Sequence, residues 1–292
     1  MTKVINQTIA QDWALYQGDS MEVIKGVAEH SIALSVFSPP FASLYTYSAS
    51  ERDLGNSRDY DEFFAGFGFL IKELLRVTMP GRICAVHCQD LSTTKTRHGV
   101  IGLRDFPGDI IRAFSSHGWI YDGRVTIDKD PQAQAIRTKS KALLFVQLEK
   151  DSSWSRPAMA DYIVRFRAPG ENAVRIKPDL NREEWILWAR PIWQDIDESD
   201  TLNTALAREE KDERHICPLQ LGTIERCVRL WSNSGETVLS PFAGIGSEGV
   251  VSLRQGRRFL GIELKESYYK TALRNLTNAC KQTSIFDRLA TP

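Results

Sequence analysis

The sequence lacks an excess of charge of either sign, because 37 lysines and arginines balance 37 aspartates and glutamates. A protein that binds polyanions mainly by neutralising phosphates needs a basic excess, so this balance argues against a non-specific binder of that kind. The sequence also lacks an apolar run long enough to span a bilayer. With 292 residues, 42% of them hydrophobic, the chain is predicted to be globular with a sizeable core, in one domain or two.

Cysteine is scarce and follows no metal-binding pattern. No CxxC pair occurs and no histidine stands at zinc-ligand spacing, so we predict reduced, mostly buried thiols and no metal. The first residues, "MTKVINQTIAQDW", contain no apolar signal-peptide core, which predicts a cytoplasmic protein. The five cysteines are Cys84, Cys88, Cys217, Cys227 and Cys280.

Strand-like and helix-like segments alternate through most of the chain. Residues 13–17 and 31–37 have the pattern of strands, and residues 20–30 between them have apolar positions on one helical face. A longer helix is predicted up to Pro80-Gly81, followed by a strand over 82–88. This alternation predicts an α/β fold whose mostly parallel sheet carries helices on both faces. Further helices are predicted over 107–118, 217–235, 247–256 and 265–280, and further strands over 119–127, 236–240 and 257–263.

The middle of the chain breaks this alternation. Residues 142–150 and 161–170 are predicted to be strands with no helix between them. Residues 171–214 are rich in tryptophan and charge, and are predicted to leave the sheet. Tryptophans can wedge between bases, but the spacing of these three favours the packing face of a small subdomain. They are Trp185, Trp188 and Trp193.

A glycine-rich turn lies between a predicted strand and a predicted helix. Gly244, Gly246 and Gly249 form a GxGxxG pattern in "TVLSPFAGIGSEG", and Glu263 ends the next strand. Glycines let the backbone approach a ligand closely, and an acid at that position can hold ribose hydroxyls. The pattern therefore predicts a site for an adenosine-bearing cofactor. No GK[ST] is present, which disfavours a P-loop.

The segment "SVFSPPF" ends a predicted buried strand at Ser38 and follows it with Pro39, Pro40 and Phe41. Proline has no N–H and favours extended geometry in the residue before it, so the strand ends rigidly here. The Ser38 hydroxyl and the Pro39 carbonyl then point out of the carboxyl edge, where doubly wound sheets bind ligands. Accepting two N–H bonds from the exocyclic amine of a base would favour a pyramidal nitrogen with an available lone pair, while Phe41 stacks on the ring.

"SPPF" resembles the catalytic tetrapeptide of amino-methylating DNA methyltransferases, and "SPFAGIGSEG" resembles their S-adenosylmethionine loop. The resemblance covers most of the chain, including "YQGDSMEVI", "DYIVRFRAPGEN" and "HICPLQLGTIERCV". It implies a Rossmann-like methyltransferase fold, S-adenosyl-L-methionine as cofactor and double-stranded DNA as substrate. The implied catalytic residues are Ser38, Pro39, Pro40 and Phe41. The implied cofactor residues are Asp19, His215, Cys217, Pro218, Leu219, Ser240, Phe242, Ala243, Gly244, Gly246 and Glu263.

The catalytic motif precedes the cofactor loop, an order that resembles the circularly permuted β-type members of this family. It implies a catalytic half over residues 1–170, a DNA target-recognition region over 171–214 and a cofactor-binding half over 215–292. Ser38 stands where most relatives carry Asp, a choice associated with cytosine N4 rather than adenine N6. Ser240 likewise replaces an Asp that usually precedes "PF" in the cofactor loop.

Two basic segments are candidates for DNA contact, although solvated loops fit their composition as well. The first, 93–104, contains Lys95, Arg97, His98 and Arg104. The second, 129–141, contains Lys129, Gln132, Gln134, Arg137, Lys139 and Lys141, and its glutamines can pair with base edges. His87 and His98 are given no catalytic role, because the sulfonium allows methyl transfer without a strong base.

Other functions stay open from the sequence. An NAD-dependent oxidoreductase would explain the GxGxxG pattern, but it leaves "SPPF" unexplained and lacks an obvious histidine or lysine for hydride chemistry. A non-catalytic DNA-binding relative would explain the departures at Ser38 and Ser240. A restriction endonuclease partner or none, and a homodimer, are all compatible with the sequence.

Overall fold

The computed structural model describes residues 4–40, 60–138, 140–202 and 219–290, without the side chains of 97, 137, 138 and 282–290. Its strands are β1 (Val4–Ile9), β2 (Trp13–Gly18), β3 (Ile32–Phe37), β4 (Thr78–Gln89), β5 (Leu91–Thr93), β6 (Gly102–Arg104), β7 (Ile120–Ile127), β8 (Asp161–Arg167), β9 (Ile192–Trp193), β10 (Thr237–Ser240) and β11 (Arg258–Glu263). Its helices are α1 (Ser20–Val23), α2 (Tyr60–Val77), α3 (Lys95–His98), α4 (Phe106–Ser116), α5 (Pro131–Thr138), α6 (Phe145–Lys150), α7 (Arg182–Trp188), α8 (Leu221–Trp231), α9 (Ser247–Arg254) and α10 (Glu266–Ala290).

Nine of these strands form one sheet in the order β1-β2-β11-β10-β3-β4-β8-β7-β9. Its centre is parallel, because β2, β11, β10, β3 and β4 run in the same direction. β8 is antiparallel to both β4 and β7, so β7 again runs with the central strands. β1 pairs antiparallel with β2 at one edge, and β5 and β6 form a separate two-stranded ribbon. This mostly parallel sheet confirms the predicted α/β fold class.

The centre of the sheet is buried on both faces. Along β4, Cys84 and Val86 belong to a core cluster with the phenylalanines of α2 and α4. Ile83 and Ala85, which alternate with them, belong to a second cluster with apolar residues of α8. A strand covered on both faces reads as a continuous apolar run, which is why "RICAVHC" is recognisable from sequence. None of the helices in the described ranges has the length and apolar character needed to cross a membrane.

The prediction of a strand over residues 142–150 is wrong. Residues 141–143 form a 3-10 turn, and Phe145–Lys150 is the helix α6. β7 and β8 pair directly with each other, and β4 and β9 occupy their other edges, so the sheet has no place for a strand between them. A short apolar run has the same appearance in a helix and in a strand, and here the topology decides.

The end of the predicted helix before Pro80-Gly81 also differs. α2 ends at Val77, and Pro80 and Gly81 lie inside β4. They are accommodated because the pairing of β3 with β4 is irregular there, and Gly81 adopts a φ of 72°. Proline and a positive-φ glycine are tolerated in a strand at such a bulge.

Residues 171–214 leave the sheet only in part. β9 lies within them and pairs with β7 at the sheet edge. Trp193 is buried, while Trp188 is stacked by the guanidinium groups of Arg226 and Arg229 at 5.2 and 4.9 Å from its ring centre. These two tryptophans therefore pack, but against the main sheet and α8 and not as the face of a separate small subdomain, and Trp185 is exposed. The rest of the predicted region, from 203 to 214, lies outside the described residues.

The prediction of mostly buried, reduced thiols is confirmed for the four cysteines that the structure describes. Cys84, Cys88 and Cys227 are buried and Cys280 is partly buried, all as free thiols, while Cys217 lies outside the described residues. Burial raises the pKa of the Cys84 and Cys227 thiols above their ordinary value, so these side chains stay neutral and act as small apolar residues.

Candidate active site

The predicted site residues lie along one edge of the sheet. Asp19 follows β2, Glu263 ends β11, the glycine loop follows β10 and Ser38 follows β3. These four strands are adjacent and parallel, so their carboxyl ends meet at the same edge. Ligands bind at this edge in open α/β sheets. Two motifs that are far apart in the sequence are therefore neighbours in the fold.

The three glycines of the loop have different structural roles. Gly244 has a φ of 52°, and within the described residues no atom lies within 4 Å of the position that a Cβ would occupy. Gly246 also has a positive φ, and a Cβ there would meet Ala272 of α10 at 3.3 Å. A Cβ on Gly249 would overlap Leu276 and Phe259, so this glycine allows α9 to pack closely. Only Gly244 therefore faces open space at the ligand-binding edge.

Carboxylates hold the turns beside this open space. One oxygen of Glu263 accepts a hydrogen bond from the Gly244 backbone N–H at 2.8 Å, and the other accepts one from the Lys265 N–H at 2.8 Å. Asp19 is the N-cap of α1 and accepts from the Met21 N–H at 3.0 Å. Each carboxylate is thereby held at its strand end, and a carboxylate oxygen can accept more than one hydrogen bond.

Two further predicted cofactor residues, Phe242 and Ala243, lie in the glycine loop, and Leu219 lies beside α8. Phe242 packs against Phe37, with ring centres 5.8 Å apart, and Ala243 donates its N–H to the Ile262 carbonyl at 2.9 Å. Leu219 is buried in the cluster next to α8, away from solvent. The other three, His215, Cys217 and Pro218, lie outside the described residues.

The loop fits an adenosine-bearing cofactor. Ser240 and Ser247 are buried at either end of it, and in the part of the chain that the structure describes neither hydroxyl has a hydrogen-bond partner. Buried polar groups are normally hydrogen-bonded, so polar ligand atoms at the loop would remove this deficit. The open space beside Gly244 and the carboxylates of Asp19 and Glu263 supply the other features of such a site.

Glu248 is a buried carboxyl in the first turn of α9. Burial raises its pKa to about 8, and the charge of Glu263 contributes in the same direction. The unfolded chain releases this proton near pH ~4.3, whereas the folded protein keeps it until about pH 8. The contribution of Glu248 to the free energy of unfolding is fully present below pH ~4.3, where the side chain is protonated in both states. This contribution is lost progressively as the pH rises to about 8, because the unfolded chain can release the proton and the folded protein cannot.

Replacing Glu248 with glutamine is expected to raise the melting temperature at about pH 8.5 relative to wild type, and to change it little at about pH 5. Glutamine resembles the protonated carboxyl in shape and charge, so it removes the cost of ionisation in a buried site. Thermal unfolding of both proteins across this pH range measures the effect. A difference between the proteins that does not vary with pH would show that Glu248 titrates as an exposed glutamate does.

Ser38 lies at the carboxyl end of β3 and is partly buried, with Pro39 buried and Pro40 partly buried after it. Its hydroxyl is 3.1 Å from Nδ1 of His87 and 3.4 Å from the His87 carbonyl oxygen. The strand therefore ends where predicted, directly before Ser38 and the two prolines. Phe41 lies outside the described residues.

The structure places a charged cluster behind Ser38 that the sequence did not identify. Nε2 of His87 is 3.2 Å from Oδ2 of Asp161, and the same oxygen is 2.8 Å from Nζ of Lys129. Burial acts to raise the pKa of Asp161, but the contacts with His87 and Lys129 outweigh it and lower the pKa to about 2. The three residues come from distant segments, and no local sequence pattern connects them.

Lys129 is predicted to contact DNA, and its environment contradicts this. Its side chain is only 4% exposed and its ammonium group is engaged by Asp161. Gln134 is likewise buried, with its amide bonded to the backbone of Met159 at both ends. Residues 131–138 form helix α5 and not the loop considered from sequence, and this helix turns Gln134 inward. These two residues therefore belong to the interior.

Two of the other basic candidates, Lys95 and Arg104, lie at least partly on the surface. Lys95 is exposed in α3, in a segment that contains the β5–β6 ribbon and is thus not a simple loop. Arg104 stacks on Tyr60 at 4.1 Å from the ring centre. The side chains of Arg97 and Arg137 and all of Lys139 lie outside what the structure describes.

Comparison with known proteins gives a consistent result. A family of N6/N4 methyltransferases, described as DNA methylase, matches residues 32–274. The type II methyltransferase M.BglI of Bacillus subtilis is 23% identical over 326 residues, which cover 93% of this chain and 87% of that protein.

Solved structures share the fold. A DNA modification methylase from Thermus thermophilus, complexed with S-adenosyl-L-methionine, has a TM-score of 0.67 and 23% identity, covering 91% of this chain and 95% of its own. The cytosine-N4-specific PvuII DNA methyltransferase has a TM-score of 0.65 and 20% identity, covering 96% of this chain and 93% of its own.

Proposed function

Because the chain belongs to the N6/N4 DNA methylase family, it is an S-adenosylmethionine-dependent DNA amino-methyltransferase, and we propose that it methylates cytosine at N4. The observation that carries this proposal is the serine at the end of β3, directly beside the glycine loop that follows β10. Family membership argues against the NAD-dependent alternative, and detection of a methylated product would exclude the non-catalytic one.

In the proposed mechanism the target base leaves the duplex and enters the site at the end of β3. Enzymes that modify a base atom inside a duplex gain access to it in this way. The Ser38 hydroxyl and the Pro39 carbonyl accept hydrogen bonds from the amine, and Phe41 stacks on the base. Pro39 and Pro40 hold the strand end rigid, so the amine is fixed in one orientation.

The cofactor residues are proposed to hold S-adenosylmethionine beside the amine. When bound, it supplies a methyl group activated by a sulfonium. The carboxylates of Asp19 and Glu263 accept hydrogen bonds from its adenosine, and the backbone at Gly244 allows its close approach. Leu219 with His215, Cys217 and Pro218, and Ser240 with Phe242, Ala243 and Gly246, complete this proposed site.

We propose that residues 1–170 and 215–292 are the catalytic and cofactor halves of one unit, and that 171–214 contact the target sequence. Strands from both ends of the chain lie side by side in the sheet, which supports treating them as one unit.

The proposed DNA contacts outside that region are Lys95, Arg97, Arg137 and Lys139. The similarity to a type II methyltransferase supports the proposal that this enzyme works beside a restriction endonuclease partner. A solitary enzyme and a homodimer are the alternatives. The enzyme is proposed to act on DNA in a bacterial cytoplasm.

Cytosine is preferred over adenine on the chemistry of Ser38. A hydroxyl accepts from the amine without adding a negative charge near the base, whereas an aspartate would accept through a stronger, charge-assisted bond. Adenine N6 is the alternative, because the Pro39 carbonyl can serve either base.

DNA from cells that express the protein is expected to contain N4-methylcytosine and no added N6-methyladenine. Digestion to nucleosides followed by mass spectrometry measures both products. Cells that express the Ser38→Ala variant control for methylation by host enzymes. If N6-methyladenine accumulates alone, the residue at position 38 does not determine the base, and the adenine alternative is correct.

A further inference from the structure

A line of four side chains runs from the catalytic edge into the protein behind Ser38. The distances along it are 3.1 Å from the Ser38 hydroxyl to Nδ1 of His87, 3.2 Å from Nε2 of His87 to Asp161, and 2.8 Å from Asp161 to Lys129. The last three side chains are at most 11% exposed. The sequence pattern assigned no role to His87 and assigned Lys129 to DNA, so the proposed function does not account for this line.

The charges determine which atoms carry hydrogen. Asp161 is a carboxylate, because the contacts with His87 and Lys129 lower its pKa to about 2. Nε2 of His87 lies 3.2 Å from Oδ2 of Asp161 without meeting hydrogen-bond geometry, but the charge of the carboxylate still favours the tautomer that has its hydrogen on Nε2, which leaves Nδ1 as an acceptor. The Ser38 hydroxyl then has two acceptors on its inner side, Nδ1 and the His87 carbonyl. Its hydrogen points inward and its lone pairs point toward the open edge.

We propose, on the basis of the proposed function, that His87 and Asp161 act as positioning residues that hold Ser38 as an acceptor and receive the proton released during methylation. The amine nitrogen forms a bond to the methyl carbon as the bond from that carbon to sulfur breaks, leaving a neutral thioether and a positively charged nitrogen. The nitrogen passes one proton to Ser38, and Ser38 passes its own proton to Nδ1 of His87. Asp161 stabilises the resulting imidazolium, as a carboxylate does in other serine–histidine–aspartate arrangements.

Lys129 has a defined place in this arrangement. Its ammonium group neutralises Asp161 before the reaction, and Glu198 lies 3.9 Å from the same ammonium group on its other side. The charged groups of the line are Asp161 at the start of β8 and Lys129 after β7, and Glu198 lies next to Lys129. Ser38, which follows β3, is neutral. This balance lets one extra proton reside on His87 without leaving a free charge beside the base.

The test compares wild type with the His87→Asn and Asp161→Asn variants in single-turnover methylation of a DNA substrate identified by sequencing. We expect each variant to lower the rate constant by about 10²-fold or more, the usual contribution of a proton-transfer group. We expect the Kd for S-adenosylmethionine, measured by calorimetry, and the KM for DNA to stay within about threefold.

The control is His30→Asn, at an exposed histidine whose positive φ of 52° asparagine also tolerates. It should behave as wild type. A rate within about threefold of wild type in His87→Asn would overturn the relay. The relay would also be overturned if both variants lost cofactor affinity and melting temperature together with the rate. Such a result would assign His87 and Asp161 a structural role. Wild-type protein that binds cofactor yet methylates no DNA would instead overturn the proposed function.

Discussion

Replacing Ser38 with alanine is expected to lower the methylation rate constant by about 10²-fold or more, with little change in the affinity for S-adenosylmethionine. The hydroxyl is proposed to contact the target amine, and among the described residues its hydrogen bonds are to His87 and not to the glycine loop. Loss of the hydroxyl removes both the acceptor for the amine and the connection to His87. Single-turnover kinetics and calorimetry with S-adenosylmethionine measure the two quantities separately.

Ser35→Ala is the matched control for this experiment. Ser35 lies in the same strand, is fully buried, and its hydroxyl has no partner among the described residues. Because it lies inside β3 and not at its carboxyl end, its loss should leave the rate unchanged. Full activity in Ser38→Ala would remove the assigned role of the serine, whereas an equal loss in both variants would indicate a general effect on the strand.

The sequence was sufficient for the parts of the fold in which local pattern and topology agree. Residues 31–37 and 82–88 are mostly apolar because central parallel strands are buried on both faces. The turn after residue 240 was recognisable because its glycines need positive φ or a close approach. In each case the requirement comes from the backbone or from burial, and it restricts the residue types strongly.

The sequence was not sufficient where the pairing of strands in the sheet determines the structure. Residues 142–150 have the composition of a strand, but the direct pairing of β7 with β8 leaves them no partner. The cluster behind Ser38 depends on the order of four strands, since β3, β4, β8 and β7 bring position 38 next to positions 87, 161 and 129. A buried lysine and an exposed lysine look alike in sequence, so Lys129 was misassigned to DNA.

Changes at the glycine loop are expected to have the largest effect on cofactor binding. Gly244→Val should abolish detectable binding of S-adenosylmethionine, because its side chain would project into the open space at the ligand-binding edge. Glu263→Gln should weaken binding by about 10-fold to 100-fold, since a hydrogen bond to a charged group contributes about 1.5–3 kcal/mol. The thermal shift on adding cofactor measures both: ligand at about 100 times its Kd stabilises wild type by about 2.7 kcal/mol.

Gly235→Val is the matched control, because Gly235 also has a positive φ, 77°, and open space at its Cβ position within the described residues. It precedes β10, whereas Gly244 follows that strand, so the same strain is placed at the opposite edge of the sheet. The control should keep the full thermal shift with S-adenosylmethionine even if its own melting temperature is lower. If Gly244→Val and Glu263→Gln both kept the wild-type shift, the cofactor would bind away from this loop. If both glycine variants lost the thermal shift equally, backbone strain would explain the result. Both substitutions strain a positive-φ position, but only Gly244→Val places a side chain at the ligand-binding edge.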